Sequence, residues 1–297
     1  MKICTLCPRM CAVDRKSGER GICGQTTEIK VARAALHFWE EPCISGEMGS
    51  GAVFFSGCAL HCVFCQNENI ANGTAGKVIS TARLCEIFLE LQEKGANNIN
   101  LVTPGQFAPQ IIKAVELARD QNLTIPIVYN TSSYENVDTI RSLEGIVDIY
   151  LPDFKYQDAA LSAKYSHAPD YPSVAKEAIK EMVRQTGEAV FENGEDSLMK
   201  RGTIVRHLIL PGCTKDSKAV LSYLHETYGN EIYISIMHQF TPLSNVKKYP
   251  ELNRRITERE YNEVVDFAID IGIENGFIQD GETAEESFIP EFDNEGV

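Results

Sequence analysis

The sequence predicts an α/β fold on a parallel sheet, preceded by a small cysteine-rich metal-binding module. Two observations carry this reading. After residue 50, short apolar runs of strand length alternate with longer runs that are apolar along one helical face. Before residue 45 no such alternation exists, and Cys4, Cys7, Cys11 and Cys23 crowd together instead. Repeated βα units pack as a parallel sheet covered by helices, with reactive groups at the C-terminal strand ends.

The elements follow in order. Residues 52–56 form a buried strand that feeds into a cysteine loop. Residues 81–94 place Leu84, Ile87, Phe88 and Leu91 at helical spacing, and Gly95 ends the helix. A strand at 99–102, a helix at 109–120 and strands at 125–129 and 147–151 come next. Residues 174–185 form a helix with Ala175, Ala178, Ile179 and Met182 on one face. Strands at 203–210, 232–236 and 276–278 are separated by helices at 217–227 and 257–271. This divides the chain into an N-terminal module, 1–45, and a core domain with a C-terminal extension, 46–297, in which six core strands are expected.

With 297 residues, 43% hydrophobic and 24% charged, the chain suits one large globular domain with a small appendage. The net charge of −14 argues against nucleic acid as a partner, and pairs such as Lys247-Lys248 and Arg254-Arg255 read as solvated surface. No run approaches the roughly 18 apolar residues of a membrane span, so no membrane partner is expected. The opening Met1-Lys2-Ile3-Cys4 lacks the apolar stretch of a signal peptide, so a cytoplasmic location is expected. Ten cysteines in that setting point to metal or redox chemistry rather than a disulfide framework.

The stretch Gly57-Cys58-Ala59-Leu60-His61-Cys62-Val63-Phe64-Cys65-Gln66-Asn67 spaces three cysteines as C-x3-C-x2-C. Three thiolates can hold three irons of a cubane cluster and leave the fourth iron open, whereas electron carriers normally use four. A zinc knuckle favours paired C-x2-C units with two further ligands, and a disulfide cluster requires an oxidising compartment. With Phe64 directly before the third cysteine, the loop resembles the signature of the radical S-adenosylmethionine (SAM) superfamily. That resemblance implies a partial (β/α)6 TIM-like barrel and a [4Fe-4S] cluster on Cys58, Cys62 and Cys65. It further implies SAM bound through its amino and carboxylate groups to the open iron and cleaved reductively to a 5′-deoxyadenosyl radical. An electron donor such as flavodoxin or ferredoxin and anaerobic conditions go with such chemistry.

The strand ends then become candidates for holding SAM. Thr103-Pro104-Gly105-Gln106 stands where many superfamily members have a Gly-Gly-Glu turn; it departs from that pattern, but Gly105 still permits close backbone approach. Asn130 and Ser132 end the next strand, within the small polar run Asn130-Thr131-Ser132-Ser133. Asp153 and Lys155 project to one side of their strand, matching an Asp-x-Lys of glycyl-radical-enzyme activases. Arg206 offers a guanidinium fork suited to a carboxylate. His207 is as readily a satisfied histidine as a functional one, and His238 and Gln239 are placed on the substrate side. Cys43, Cys85 and Cys213 have no partner at ligand spacing. No catalytic side chain is assigned.

Cys4, Cys7, Cys11 and Cys23 form a C-x2-C-x3-C-x11-C set, with Gly18, Gly21 and Gly24 supplying turns. This reads as a second metal site for structural zinc, a single rubredoxin-like iron, or a second cubane that relays electrons. The block Cys4-Thr5-Leu6-Cys7-Pro8-Arg9-Met10-Cys11, with Glu40-Glu41-Pro42 and Phe288-Ile289-Pro290-Glu291-Phe292, resembles the pyruvate formate-lyase-activating-enzyme-like (PflX-type) iron–sulfur proteins over nearly the whole chain. The expected activity is radical SAM hydrogen abstraction from a glycyl-radical-type protein, another peptide or a small molecule. The alternatives are a non-catalytic iron–sulfur carrier or metal-binding regulator, and a degenerate scaffold, favoured by the altered turn at 103–106. A protein substrate would dock on the N-terminal module or on the acidic segment 280–295.

Overall fold

The computed structural model describes residues 3–193, 197–279 and 290–297. Ten strands form within them: β1 (Ile29–His37), β2 (Ser50–Phe55), β3 (Lys77–Ile79), β4 (Ile99–Val102), β5 (Ile127–Thr131), β6 (Ile149–Pro152), β7 (Val190–Phe191), β8 (Met199–Leu208), β9 (Tyr233–Met237) and β10 (Gly276–Ile278). They join in one sheet of order β10-β9-β8-β6-β5-β4-β2-β1-β3, with β7 paired to β8 off that path. The run from β2 through β4, β5, β6, β8 and β9 to β10 is parallel throughout. Because β10 and β3 stand at opposite ends of the order without pairing, the sheet is a partial, open barrel.

The parallel strands and the helices between them fall where apolar periodicity places them. Thr81–Glu93 starts with the Ser80 hydroxyl accepting from Arg83 N, and Glu258–Asp270 starts with a capping box of Thr257 and Glu260. The helix predicted at 174–185 begins earlier, at Tyr171, with Pro172 in its first turn where its missing N–H costs nothing. Periodicity misses β1, β3 and β7 and the short helices Pro42–Ser45, Glu68–Ala71, Val137–Arg141 and Ala159–Ser166. β1 reads Ile-Lys-Val-Ala-Arg-Ala-Ala-Leu-His, rich in residues with poor strand propensity. It forms because it pairs antiparallel with both β2 and β3.

Two large apolar groups flank the sheet. One joins Val53, Leu101 and Tyr129 to Phe88 and Ile111 of the covering helices. The other gathers Leu60 and Phe64 from the cysteine loop with Tyr156, Tyr171 and Phe240. The Phe64 ring centroid lies 6.4 Å from that of Tyr156 and 6.1 Å from that of Phe240. The aromatic residue before the third cysteine is thus a core anchor for the loop.

Residues 290–297 run beside β1, with Asn294 N donating to Ala32 O and Ala34 N donating to Glu295 O. Phe292 packs edge-on against Phe54 at 5.5 Å. Residues 280–289, including most of the acidic docking candidate and Phe288-Ile289, lie outside the described residues. Among the described residues no helix is long and apolar enough to cross a membrane.

Phe88 is fully buried between its helix and the sheet. Phe88→Ala is expected to cost about 3–5 kcal/mol, read as a fall in the urea midpoint with an unchanged slope.

Candidate functional site

The cysteine loop begins where β2 ends. Gly57 has φ +89°, and a Cβ there would come 2.5 Å from Cys23 O, so only glycine lets the chain turn at this point. The turn carries Cys58, Cys62 and Cys65 into the wall of a cavity of about 250 Å³. The same wall holds Thr103, Asn130, Ser132, Asp153, Lys155 and Arg206. Four strand ends, far apart in sequence, thereby converge on the loop. Gly105 is not in this wall; a Cβ on it would sit 2.5 Å from Glu135 Oε1, so its lack of a side chain makes room for a buried carboxyl.

The three thiols are half-buried. Ser166 Oγ donates to Cys62 Sγ at 3.1 Å, and Leu60 N donates to Cys58 Sγ at 3.4 Å. Desolvation pushes the Cys62 thiol up to about 11 and the Cys65 thiol up to about 12. Among the described residues, no three Cys, His, Asp or Glu side chains converge closely enough to hold a single metal ion. Three thiols without a fourth in the cavity wall fit a cluster with one open iron rather than a closed zinc site.

Arg206, on β8, is the hub of the polar wall. Its Nε donates to Asp153 Oδ1 at 2.9 Å, its Nη1 to Glu40 Oε2 at 3.1 Å and its Nη2 to Asn130 Oδ1 at 2.6 Å. Lys155 Nζ meets Asp153 Oδ2 at 2.6 Å. Burial alone would raise the Asp153 carboxyl, but the Arg206 guanidinium and Lys155 ammonium outweigh it and hold that carboxyl below its usual range. Asp153 and Lys155, on one side of the chain as the strand pattern implies, are thus paired, mostly buried and shared with Arg206.

Sequence reasoning missed two acids here. Glu40 lies in the cavity wall, and its Oε1 accepts from Asn100 Nδ2 at 2.9 Å. Its only sequence signal was the Glu40-Glu41-Pro42 string, and no periodicity says that a connecting segment enters a barrel. Glu135 accepts from Thr131 Oγ1 at 2.8 Å and from Tyr129 OH at 3.4 Å, and burial pushes its carboxyl up to about 7.

Other candidates lie elsewhere. His207 is buried, with Nδ1 2.8 Å from Phe154 O and Nε2 2.9 Å from Ser217 Oγ, and desolvation lowers it to about 4. It is a satisfied histidine outside the cavity wall. Gln239 lines the cavity, while the His238 ring packs edge-on against Tyr261 at 4.5 Å. Cys43 and Cys85 are buried, and Cys213 is half-buried beside Pro211.

Cys4, Cys7, Cys11 and Cys23 come together as a second group. Desolvation raises the Cys7 thiol to about 12, with Cys23 and Cys11 close enough to add to the rise. Desolvation raises Cys23 too, with Cys4 and Cys11 adding to it.

Residues 44–167 match the 4Fe-4S single cluster domain family. The matched span contains the three-thiol loop, Cys58, Cys62 and Cys65. Uncharacterized protein MJ0674 of Methanocaldococcus jannaschii is 27% identical over 278 residues, covering 90% of this chain and 74% of that protein. Among solved structures, Streptococcus suis SuiB bound to S-adenosylmethionine aligns at TM-score 0.49 and 12% identity, covering 75% of this chain. The alignment spans about half of SuiB, 48% of its length. A domain of pyruvate-formate lyase-activating enzyme from Bacteroides vulgatus aligns at TM-score 0.39 and 10% identity, covering 60% of this chain and 91% of that domain.

Two outcomes follow for the polar groups. Arg206→Ala leaves Glu40 without its ion-pair partner and Asp153 with Lys155 alone, and is expected to cost about 3–5 kcal/mol in urea unfolding. For Glu135, the folded pKa of about 7 lies above the ordinary value of 4.5. Its contribution to stability is therefore full below pH 4.5, falls as pH rises to 7 and levels off above it, a loss of about 3 kcal/mol. Glu135→Gln is expected to remove that decline from a plot of urea midpoint against pH.

Proposed function

We propose that this chain is a radical SAM enzyme whose cluster is held by Cys58, Cys62 and Cys65. The observation that carries the reading is the convergence of this three-thiol loop and the polar strand ends on one cavity wall. When bound, the [4Fe-4S] cluster supplies the electron that cleaves SAM to methionine and a 5′-deoxyadenosyl radical, which takes a hydrogen atom from the substrate.

The chain's own residues prepare the site for this. Thr103, Asn130 and Ser132 offer hydroxyl and amide groups for the hydroxyls of a bound nucleoside. Lys155 offers an ammonium for a carboxylate, and its pairing with Asp153 fixes where that charge sits. Arg206 acts as a positioning residue: it holds Asp153, Asn130 and Glu40 in one constellation rather than presenting a vacant fork. Leu60, Phe64, Tyr156 and Phe240 pack apolar surface behind the loop and shield a reactive radical from water.

In the same reading, the segment 1–45 is a functional module holding a second metal on Cys4, Cys7, Cys11 and Cys23. The substrate is a glycyl-radical-type protein or another peptide, and the electron comes from a flavodoxin- or ferredoxin-type donor in an anaerobic cytoplasm. The open barrel supports access by a peptide. A non-catalytic carrier would call for a fourth thiol at the main site, which the cavity wall lacks.

Anaerobically reconstituted, reduced protein is expected to convert SAM to 5′-deoxyadenosine and methionine, measured by mass spectrometry. The single variants Cys58→Ala, Cys62→Ala and Cys65→Ala are expected to lower that yield at least about 100-fold. An intact cluster that forms no 5′-deoxyadenosine would sink the proposal.

A further inference from the structure

Where the N-terminal cysteines sit carries a second conclusion, which rests on the reading of Cys58, Cys62 and Cys65 as a cluster site. The two cysteine groups are joined by a series of direct contacts. Cys23 O lies so close to Gly57, the residue immediately before Cys58, that a Cβ there would come within 2.5 Å of it. Ile22 O lies 2.9 Å from His61 Nε2, inside the loop between Cys58 and Cys62. From between Cys7 and Cys11, Arg9 Nε donates to Ala59 O at 2.8 Å and its Nη2 to Ser166 O at 3.1 Å. Ser166 in turn donates to Cys62 Sγ. On the other side, Arg15 Nη1 donates to Gln106 O at 2.7 Å, while Gln106 Nε2 donates to Ser56 O and Gly57 O at 2.9 and 3.0 Å. The Arg15 Nη1 atom also stands 4.0 Å from Cys4 Sγ.

Two features bear on what the N-terminal group holds. First, Arg9 and Arg15 donate to backbone carbonyls and make no ion pair among the described residues. The Arg15 guanidinium, at Cys4, offsets the charge of an anionic centre and favours its accepting a further electron. Second, electron transfer slows steeply with separation, and the module is seated directly on the loop rather than on a distant face.

We infer that Cys4, Cys7, Cys11 and Cys23 bind a redox-active iron–sulfur cluster that passes electrons to the cluster at Cys58, Cys62 and Cys65. One electron leaves a reduced low-potential flavin or iron–sulfur carrier protein and reduces the N-terminal cluster. That cluster is reoxidised as the same electron moves to the main cluster. No bond is made or broken, and no proton moves.

The test begins with metal content. The Cys58→Ala, Cys62→Ala, Cys65→Ala triple variant, reconstituted in full-length protein, is expected to keep about four irons and four sulfides. It should show no zinc and a paramagnetic resonance signal on reduction. Zinc or a single iron there overturns the inference. A triple variant that loses no iron relative to wild type sinks the assignment of the Cys58 loop instead, so the two failures are distinguishable. In a Cys4→Ser, Cys7→Ser double variant, reduction of the main cluster by reduced flavodoxin is expected to slow at least tenfold relative to reduction by dithionite. An unchanged ratio overturns the relay. If that variant does not fold, doubly reduced wild-type protein decides the matter. Spin coupling between two nearby centres is expected, and two independent signals would refute the inference.

Discussion

One mostly buried guanidinium organises the interior of this barrel. Arg206 reaches Asp153 on the strand-end segment after β6, Asn130 on β5 and Glu40 on the segment that follows β1. Charges this deep are tolerated only when paired and hydrogen-bonded. Each partner therefore constrains the position of the others, and the ends of β5, β6 and β8 cannot drift apart without leaving a charge uncompensated. The polar face opposite the cysteine loop follows from that requirement.

Much of the fold was legible from periodicity. The parallel strands and their covering helices carry the alternation of apolar runs that burial on both faces demands, and their boundaries move by only a few residues between expectation and structure. The antiparallel additions were not legible, because β1 is held by pairing with β2 and β3 rather than by its own composition. The same distinction holds in the site. Arg206 lies on a strand, and Asp153 and Lys155 follow directly from one, where position along the chain fixes direction. Glu40 and Glu135 lie on connecting segments, where nothing local says which way a carboxyl points. Gly105 shows a different limit: its small size was foreseen as useful, but the neighbour that needs the space, Glu135, comes from another strand end.

The N-terminal segment gains meaning from where it lies. By spacing alone, Cys4, Cys7, Cys11 and Cys23 suit any of three metal centres. Cys23 O beside Gly57, the Arg9 guanidinium on Ala59 O and Ile22 O beside His61 Nε2 make them neighbours of the main loop. A segment that reads as a separate appendage is thus fastened to the loop it precedes.

The cavity's size has a consequence for recognition. At about 250 Å³ it lies below the ~300–1,000 Å³ typical of small-molecule pockets. A space of this size admits one side chain or a short stretch of backbone of a macromolecule rather than a folded surface. Selectivity among such macromolecules would then be set outside the cavity, by whatever surface holds the rest of the partner while one residue reaches in.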